Sequence, residues 1–465
     1  MMIAAEERRD VLWAVDGNRS GGVDMTTQVN DVRSGRRIGR PLIRTAAALV
    51  SLCSLTAGCG FSWAEDMGVA WNTPVDRKGE TQGNGAWLSG DTLVHSRFDA
   101  VRGYDASSGA RRWEYVPPGR SAVCHAAADT DGSVLILTRD ADGASASAKG
   151  EPCATAVAID MKNGRELWQA PDAATDRGLD RFRPSSVSAG GGIAVLVKKD
   201  GLHAVDVRTG KSRWKAALPQ GCVPGRTAVA ERQVAALLAC GSTGTHQEDE
   251  FPEGAELHAA AFAPATGALL WSAPLGGRSA IRWDTRVEFV SADPLVVAAS
   301  DSGDSDSGAY VSFGRNGRPN PPIDFSGSYG EIEPSDRLTA AVDDSRLYVV
   351  PNHTVRISRH EYRLTAFDLA TGEPVWGGTR DDDRLDGDVG DHFLFQDGKL
   401  TVLAWGDRAR LHVLDPATGD QHDVYDLPEE LDGADEIFGY EDRLIVARYG
   451  DQAEPSRPFT AYKRL

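Results

Sequence analysis

Several signatures of familiar chemistry are missing from this chain. It contains no His-Glu-x-x-His, no Gly-x-Ser-x-Gly and no Cys-x-x-Cys. A zincin peptidase, a nucleophile-elbow hydrolase, a zinc ribbon and c-type haem attachment therefore have no support. Positive charge is also short, with 50 Lys+Arg against 68 Asp+Glu and a net charge of −18. Such a chain repels phosphate backbones, which excludes a basic nucleic-acid binder. Long apolar runs are scarce. A membrane span needs about 20 apolar residues. The uncharged stretch 45–64 reaches that length, but over half of it is Ala, Gly, Ser and Thr. A polytopic membrane protein is excluded. What the chain does have is 50 Gly and 11 Trp. Glycine turns alternating with tryptophan-bearing segments point to an all-β repeat protein.

Residues 1–58 read as an address. Arg33, Arg36, Arg37, Arg40 and Arg44 form a basic patch, the apolar run 45–55 follows, and Thr56-Ala57-Gly58-Cys59 closes it. A basic segment, a short apolar segment and small residues at a cleavage point describe an export signal. The ending resembles a bacterial lipobox, although Leu55 stands four residues before the cysteine and Thr56 three before it. The resemblance implies lipidation of Cys59 and attachment to the cell membrane on its extracytoplasmic side. The chain then divides into 1–58 as extension and signal, 59–67 as a short tether and 68–465 as the folded domain. The leader is net basic, so the remainder is more acidic than the whole chain.

A repeat runs through that domain. Its pattern is A-x-D-x-x-T-G-x-x-x-W. It is carried by Asp105, Gly109 and Trp113, by Asp160, Gly164 and Trp168, and by Asp206, Gly210 and Trp214. Further copies hold Gly267 and Trp271 (with Ala263 at the Asp position), then Asp368, Gly372 and Trp376. Asp415 and Gly419 form a copy with Asp423 in place of the tryptophan, and Phe313 and Gly317 mark one lacking both Asp and Trp. The alternating residues before the Asp form a strand. Asp and Thr bond nearby backbone in the turn, and Gly supplies a positive φ. The indole on the returning strand is expected to cover the small Ala position of a neighbouring unit. The spacing, about 46–57 residues, suits propeller blades of four strands each. The chain ends on a seventh-plus-one fragment, Phe459-Thr-Ala-Tyr-Lys-Arg-Leu465, and an orphan Trp71 segment lies near the start of the domain. Joining the two in one blade gives an eight-bladed β-propeller closed by its N- and C-terminal strands, with two sheet edges hidden.

The repeat resembles the pyrroloquinoline-quinone-type (PQQ-like) propeller family from about Met67 to Leu465. That likeness implies the fold. Cofactor use does not follow, because many members of the wider family bind no quinone. A quinoprotein dehydrogenase would carry quinone and calcium on the axis and often a disulfide between adjacent cysteines. No two cysteines here are adjacent, and no acid maps onto a catalytic position. No cofactor, metal or catalytic residue is assigned.

Placing the strands puts the insertions 140–152, 242–255, 300–308, 352–362 and 379–391 on one face, as long loops. Several are acidic, notably the loop holding Asp381, Asp382, Asp383 and Asp386. None fits the EF-hand pattern of a calcium loop. These acids serve solubility, a cation, or a basic partner. Four cysteines remain after the signal, and an even number in an exported chain favours disulfides. The strand placement pairs Cys124 with Cys153 and Cys222 with Cys240. The functional expectation is a membrane-tethered, non-catalytic propeller that binds a protein or cell-envelope partner on its acidic, loop-rich face. The alternatives are a PQQ-dependent dehydrogenase and a ligand sensor using the axial channel.

Overall fold

Strand follows strand through the computed structural model. It describes residues 65–76, 85–127, 132–140, 153, 155–171, 187–198, 200–241, 255–275, 286–300, 308–332, 340–356, 359–377, 388–405, 409–428, 434–449 and 457–464. All lie within one compact unit, Phe61–Leu465. Six antiparallel blades of four strands span 85–115, 123–171, 187–215, 222–274, 286–324 and 340–377. Blades 7 and 8 share one eight-stranded sheet. Blade 7 spans 388–426. Blade 8 takes Glu436–Tyr440, Arg443–Ala447 and Phe459–Arg464 from the C-terminus and Glu65–Asn72 from the N-terminus. Among the described residues the only helical segment is the three-residue 3-10 turn Pro118–Arg120.

The repeated turn explains why the strands fold back where they do. In six copies, including the one with Ala263 at the Asp position, the glycine N–H donates to the carbonyl of that position, at 2.8 Å for Gly109, Gly164, Gly210, Gly267, Gly372 and Gly419. The glycines hold φ between +66° and +78°, a region that penalises any side chain. The Asp carboxylate caps the turn: Asp206 accepts from the Thr209 N–H at 2.9 Å and its hydroxyl at 2.8 Å. These bonds and the Arg213 guanidinium hold the Asp206 carboxyl down at about 2.

Each tryptophan joins two blades. Within its own blade it stands opposite the small residue of the motif, as in Ala158↔Trp168, Ala204↔Trp214 and Ala366↔Trp376. Its ring then reaches forward to the next blade and lies on that blade's turn glycine. A Cβ on Gly164 would come within 2.4 Å of Trp113, and one on Gly267 within 2.5 Å of Trp214. The indole N–H also donates to the carbonyl after the Asp position, from Trp113 to Met161 (3.0 Å) and from Trp214 to Pro264 (2.7 Å). The expectation that the ring covers a neighbour's alanine is thus corrected. The alanine is in the same blade, and the neighbour offers a glycine, the only residue that leaves room for an indole against the turn.

The degenerate copies obey the same rule. Blade 5 lacks the Asp, but its Phe313 stacks on Trp271 of blade 4 with centroids 5.4 Å apart. It lacks the Trp, and Pro321, at that position, packs against Gly372 of blade 6. Blade 7 has Asp423 in place of Trp, and blade 8 has no glycine turn for an indole to cover. The junction is made instead by one parallel strand pairing, through the residue pairs Glu65↔Tyr425 and Asp66↔Asp426.

Blade 8 is composite, as its sequence fragments require. Residues 67–72 pair antiparallel with 460–464, including Trp71↔Ala461. Trp71 then covers Gly109 of blade 1, and an apolar cluster joins Ile445, Phe459 and Ala461 of blade 8 to Leu93 and Tyr104 of blade 1. Thr73 locks the closure through three hydrogen bonds with Phe459, at 2.9–3.0 Å. Glu65, Asp66 and Met67, placed in the tether from sequence, belong to this strand.

One insertion read as a loop is a hairpin. Asn352–Arg356 and Arg359–Tyr362 pair with each other, and Glu331 pairs with Asn352, forming a small extra sheet with Ser326–Gly327. Gly330, at φ +104°, lets the backbones meet, since a Cβ there would sit 2.6 Å from the Asn352 carbonyl oxygen.

Candidate functional site

The two faces of the propeller are built differently. The strand ends that flank the long insertions lie opposite the repeat turns. Cys59, Asp381, Asp382, Asp383 and Asp386 lie outside the described residues, as does most of each of the insertions 140–152, 242–255, 300–308 and 379–391. What is described there is the pair of clamps at the loop bases. Cys124 and Cys153 form one disulfide, with Cα atoms 5.8 Å apart. Cys222 and Cys240 form the other, at 4.0 Å, between directly opposed residues of adjacent strands. Each closes the strand ends from which a long insertion departs, 141–152 in blade 2 and 242–254 in blade 4.

The repeat-turn face holds a cavity of about 410 Å3 where blades 4, 5 and 6 meet. It opens at the one blade that has lost both motif residues. Where an intact turn would place Asp, blade 5 has Phe313, and Gly314 and Arg315 follow it. The cavity's charged lining comes from Arg232, Asp293, Arg315, Asp344 and Asp368. Two of the acids are engaged. Asp293 receives the Arg232 Nε at 2.5 Å, an interaction that pushes the Arg232 guanidinium up. Asp368 caps its own turn, accepting from Ala370 and Thr371. Arg315 and Asp344 offer one charge of each sign at the rim, an arrangement suited to holding a polar group in place. Sequence reasoning named Asp368 only for its turn and missed Arg232, Asp293, Arg315 and Asp344, because the lining comes from three blades. The degeneracy of the blade 5 copy was the available signal.

A second polar cluster lies at the ring closure. Asp76, just after the N-terminal strand, contacts Arg97 at 3.2 Å and Arg102 at 3.3 Å through one carboxylate oxygen. Asp99 bonds Arg97 at 3.1 Å, and Glu114 bonds Arg102 at 2.7 Å. Beside them His95 is 1 % exposed. Its ring meets the Phe459 ring edge-on at 6.1 Å. Neither ring nitrogen has a hydrogen-bond partner among the described residues. Burial pushes the imidazole down to about 4, with Asp76 and Asp99 opposing and Arg97 and Arg102 reinforcing the shift. This cluster holds structure together. The motif residues named from sequence, from Trp71 and Asp105 to Gly419, likewise sit in turns and blade junctions.

Comparison with known proteins follows the architecture. The family model described as outer membrane protein assembly factor BamB, a PQQ-type repeat model, matches residues 62–243 and 255–437. No curated protein matches the chain in sequence. Among solved structures, BamB from Moraxella catarrhalis aligns at TM-score 0.45 and 15% identity, covering 85% of this chain and 97% of its own. The computationally designed protein Ika8 aligns at TM-score 0.50 and 11% identity, covering 85% and 99%. The quinohemoprotein alcohol dehydrogenase of Comamonas testosteroni aligns at 0.46 and 12% identity, covering 86% and 76%. At such identities, structural likeness bears on the fold alone.

Proposed function

The chain belongs to the family described as outer membrane protein assembly factor BamB, and from that membership we propose that it is a non-catalytic propeller scaffold, lipid-tethered through Cys59 on the extracytoplasmic side of the cell membrane, that binds a protein or cell-envelope partner. The observation that carries this reading is the family match over most of the propeller. A body in which six tryptophans each brace the next blade suits a rigid platform for its loops.

Two experiments test it. Two acyl chains suffice for stable membrane attachment, so Cys59→Ser should abolish lipid labelling and proteolytic maturation of the chain. Unchanged labelling overturns the tether. The acidic loop is the proposed contact for a basic partner. Replacing Asp381, Asp382, Asp383 and Asp386 with Asn should weaken capture of that partner from solubilised membranes, and should flatten the salt dependence of capture while leaving melting unchanged. Equal capture at low salt shows that the loop is solvated surface.

A further inference from the structure

The base of the 141–152 insertion holds more than a disulfide. Asp140 directly follows the second strand of blade 2, Cys124 lies on the first and Cys153 just precedes the third. Their three candidate donor atoms all lie within 4.8 Å of one another, and this is the one such group among the described residues. The carboxylate is held against the sulfurs. Asp140 Oδ1 accepts the Cys153 N–H at 3.0 Å and sits 3.7 Å from Cys124 Sγ. The Asp140 backbone is pinned on both sides, donating to the Ala122 carbonyl at 3.0 Å and accepting from the buried Arg139 at 3.1 Å. The Cys222–Cys240 pair has no such carboxylate among the described residues.

We propose that reduction of the Cys124–Cys153 disulfide uncovers a zinc site formed by Cys124, Cys153 and Asp140. Breaking the S–S bond takes two electrons and two protons, which a dithiol supplies as it closes to its own disulfide. Two thiols remain beside a fixed carboxylate. As thiolates they would place three negative charges together, a repulsion that a divalent cation relieves. Zinc displaces the two thiol protons and binds both sulfurs and the Asp140 oxygen, and water fills the fourth position. Zn–S bonds of about 2.3 Å and Zn–O bonds of about 2.0 Å give tetrahedral S···O edges of about 3.5 Å. The Cys124–Asp140 separation is already close to that. The two sulfurs must part, to about 3.8 Å on the same geometry, and Cys153 Sγ starts within 4.8 Å of the carboxylate. Either state, disulfide or zinc, clamps the base of the same insertion.

The test uses the full chain purified in its oxidised form, then reduced with a non-chelating phosphine. Zn2+ is titrated against a chromophoric chelator, and Co2+ serves as a spectroscopic probe. The reduced chain should bind one Zn2+ that the oxidised chain does not, and Co2+ should give a thiolate-to-metal absorption band. Asp140→Asn keeps both cysteines, so it can be purified folded with its disulfide before reduction. Loss of one of three protein ligands should weaken zinc binding by about tenfold or more. The double variant Cys222→Ser/Cys240→Ser should bind as the parent does. Undiminished affinity in Asp140→Asn, or equal binding by the oxidised chain, overturns the proposal.

Discussion

Removal of Phe459–Leu465 is expected to abolish cooperative unfolding. The strand 459–464 is the inner partner of the N-terminal strand and the outer partner of Arg443–Ala447, so its loss opens two sheet edges in one blade. Phe459 and Ala461 are fully buried and Tyr462 is 1 % exposed. Burial of the two aromatic side chains is worth roughly 2–3 kcal/mol each, before the strand's hydrogen bonds are counted. Whole domains hold only about 5–15 kcal/mol. The three bonds between Thr73 and Phe459 go as well, and Trp71 loses the strand that positions it over Gly109. Far-UV circular dichroism against temperature should show a broad, non-cooperative decay or aggregation. The point variant Phe459→Ala should retain a cooperative melt and lose about 3–5 kcal/mol. A truncated chain that melts like the parent would show that closure contributes little.

The second large effect is pH-dependent. His95 has no hydrogen bond among the described residues to sustain a proton, and its burial, beside Arg97, Arg102, Asp76 and Asp99, keeps it neutral in the native state down to about 4. In the unfolded chain it takes up a proton near 6.5. Between those values the unfolded state binds more protons, and stability therefore falls as pH drops from 6.5 to 4. Below that window both states are charged and this group adds no further loss. The gap corresponds to on the order of 3 kcal/mol. Turn carboxylates such as Asp206, held at about 2, act lower, as pH falls from the ordinary carboxylate range. The two contributions separate on the pH axis. Urea midpoints measured between pH 7.5 and 4 should fall steeply for the parent and more gently for His95→Leu. Identical slopes would mean that the ring gains a partner in solution.

Much of this architecture is legible in the sequence because the repeat turn has strict local needs. A positive φ calls for Gly109 or Gly164, and the exposed backbone N–H groups call for Asp and Thr. Ring closure is legible for a similar reason, since Trp71 without a preceding turn and Tyr462 without a following one are complementary fragments. The cysteine pairs follow from strand direction alone. Other features depend on side chains meeting across blades, which no local pattern records. The indole's true seat on the next blade's glycine required knowing how far a tryptophan reaches. The cavity beside Arg315 arises from what blade 5 omits. The hairpin 352–362 finds its partner strand in a different insertion, at Gly330–Glu331, and His95 looks like any polar residue in an alternating strand. Asp140 is one acid among 68 Asp+Glu until folding brings it to the sulfurs.

The composite blade also sets the order in which the molecule can be completed during synthesis. Thr73 and Phe459 are 386 residues apart in sequence. At about 5–20 residues per second, the N-terminal strand emerges tens of seconds before its partner exists. Blades 1 to 7 can be completed from chain that has already emerged, but the strand at 65–72 lacks its antiparallel partner until the end. Contacts of such long separation close slowly, and a bare strand invites pairing with another chain. Exposed Asp66 and Pro74 bracket the waiting segment, one by charge and the other by lacking an N–H. The last contact to form in each newly made chain is therefore also the one that ends this exposure.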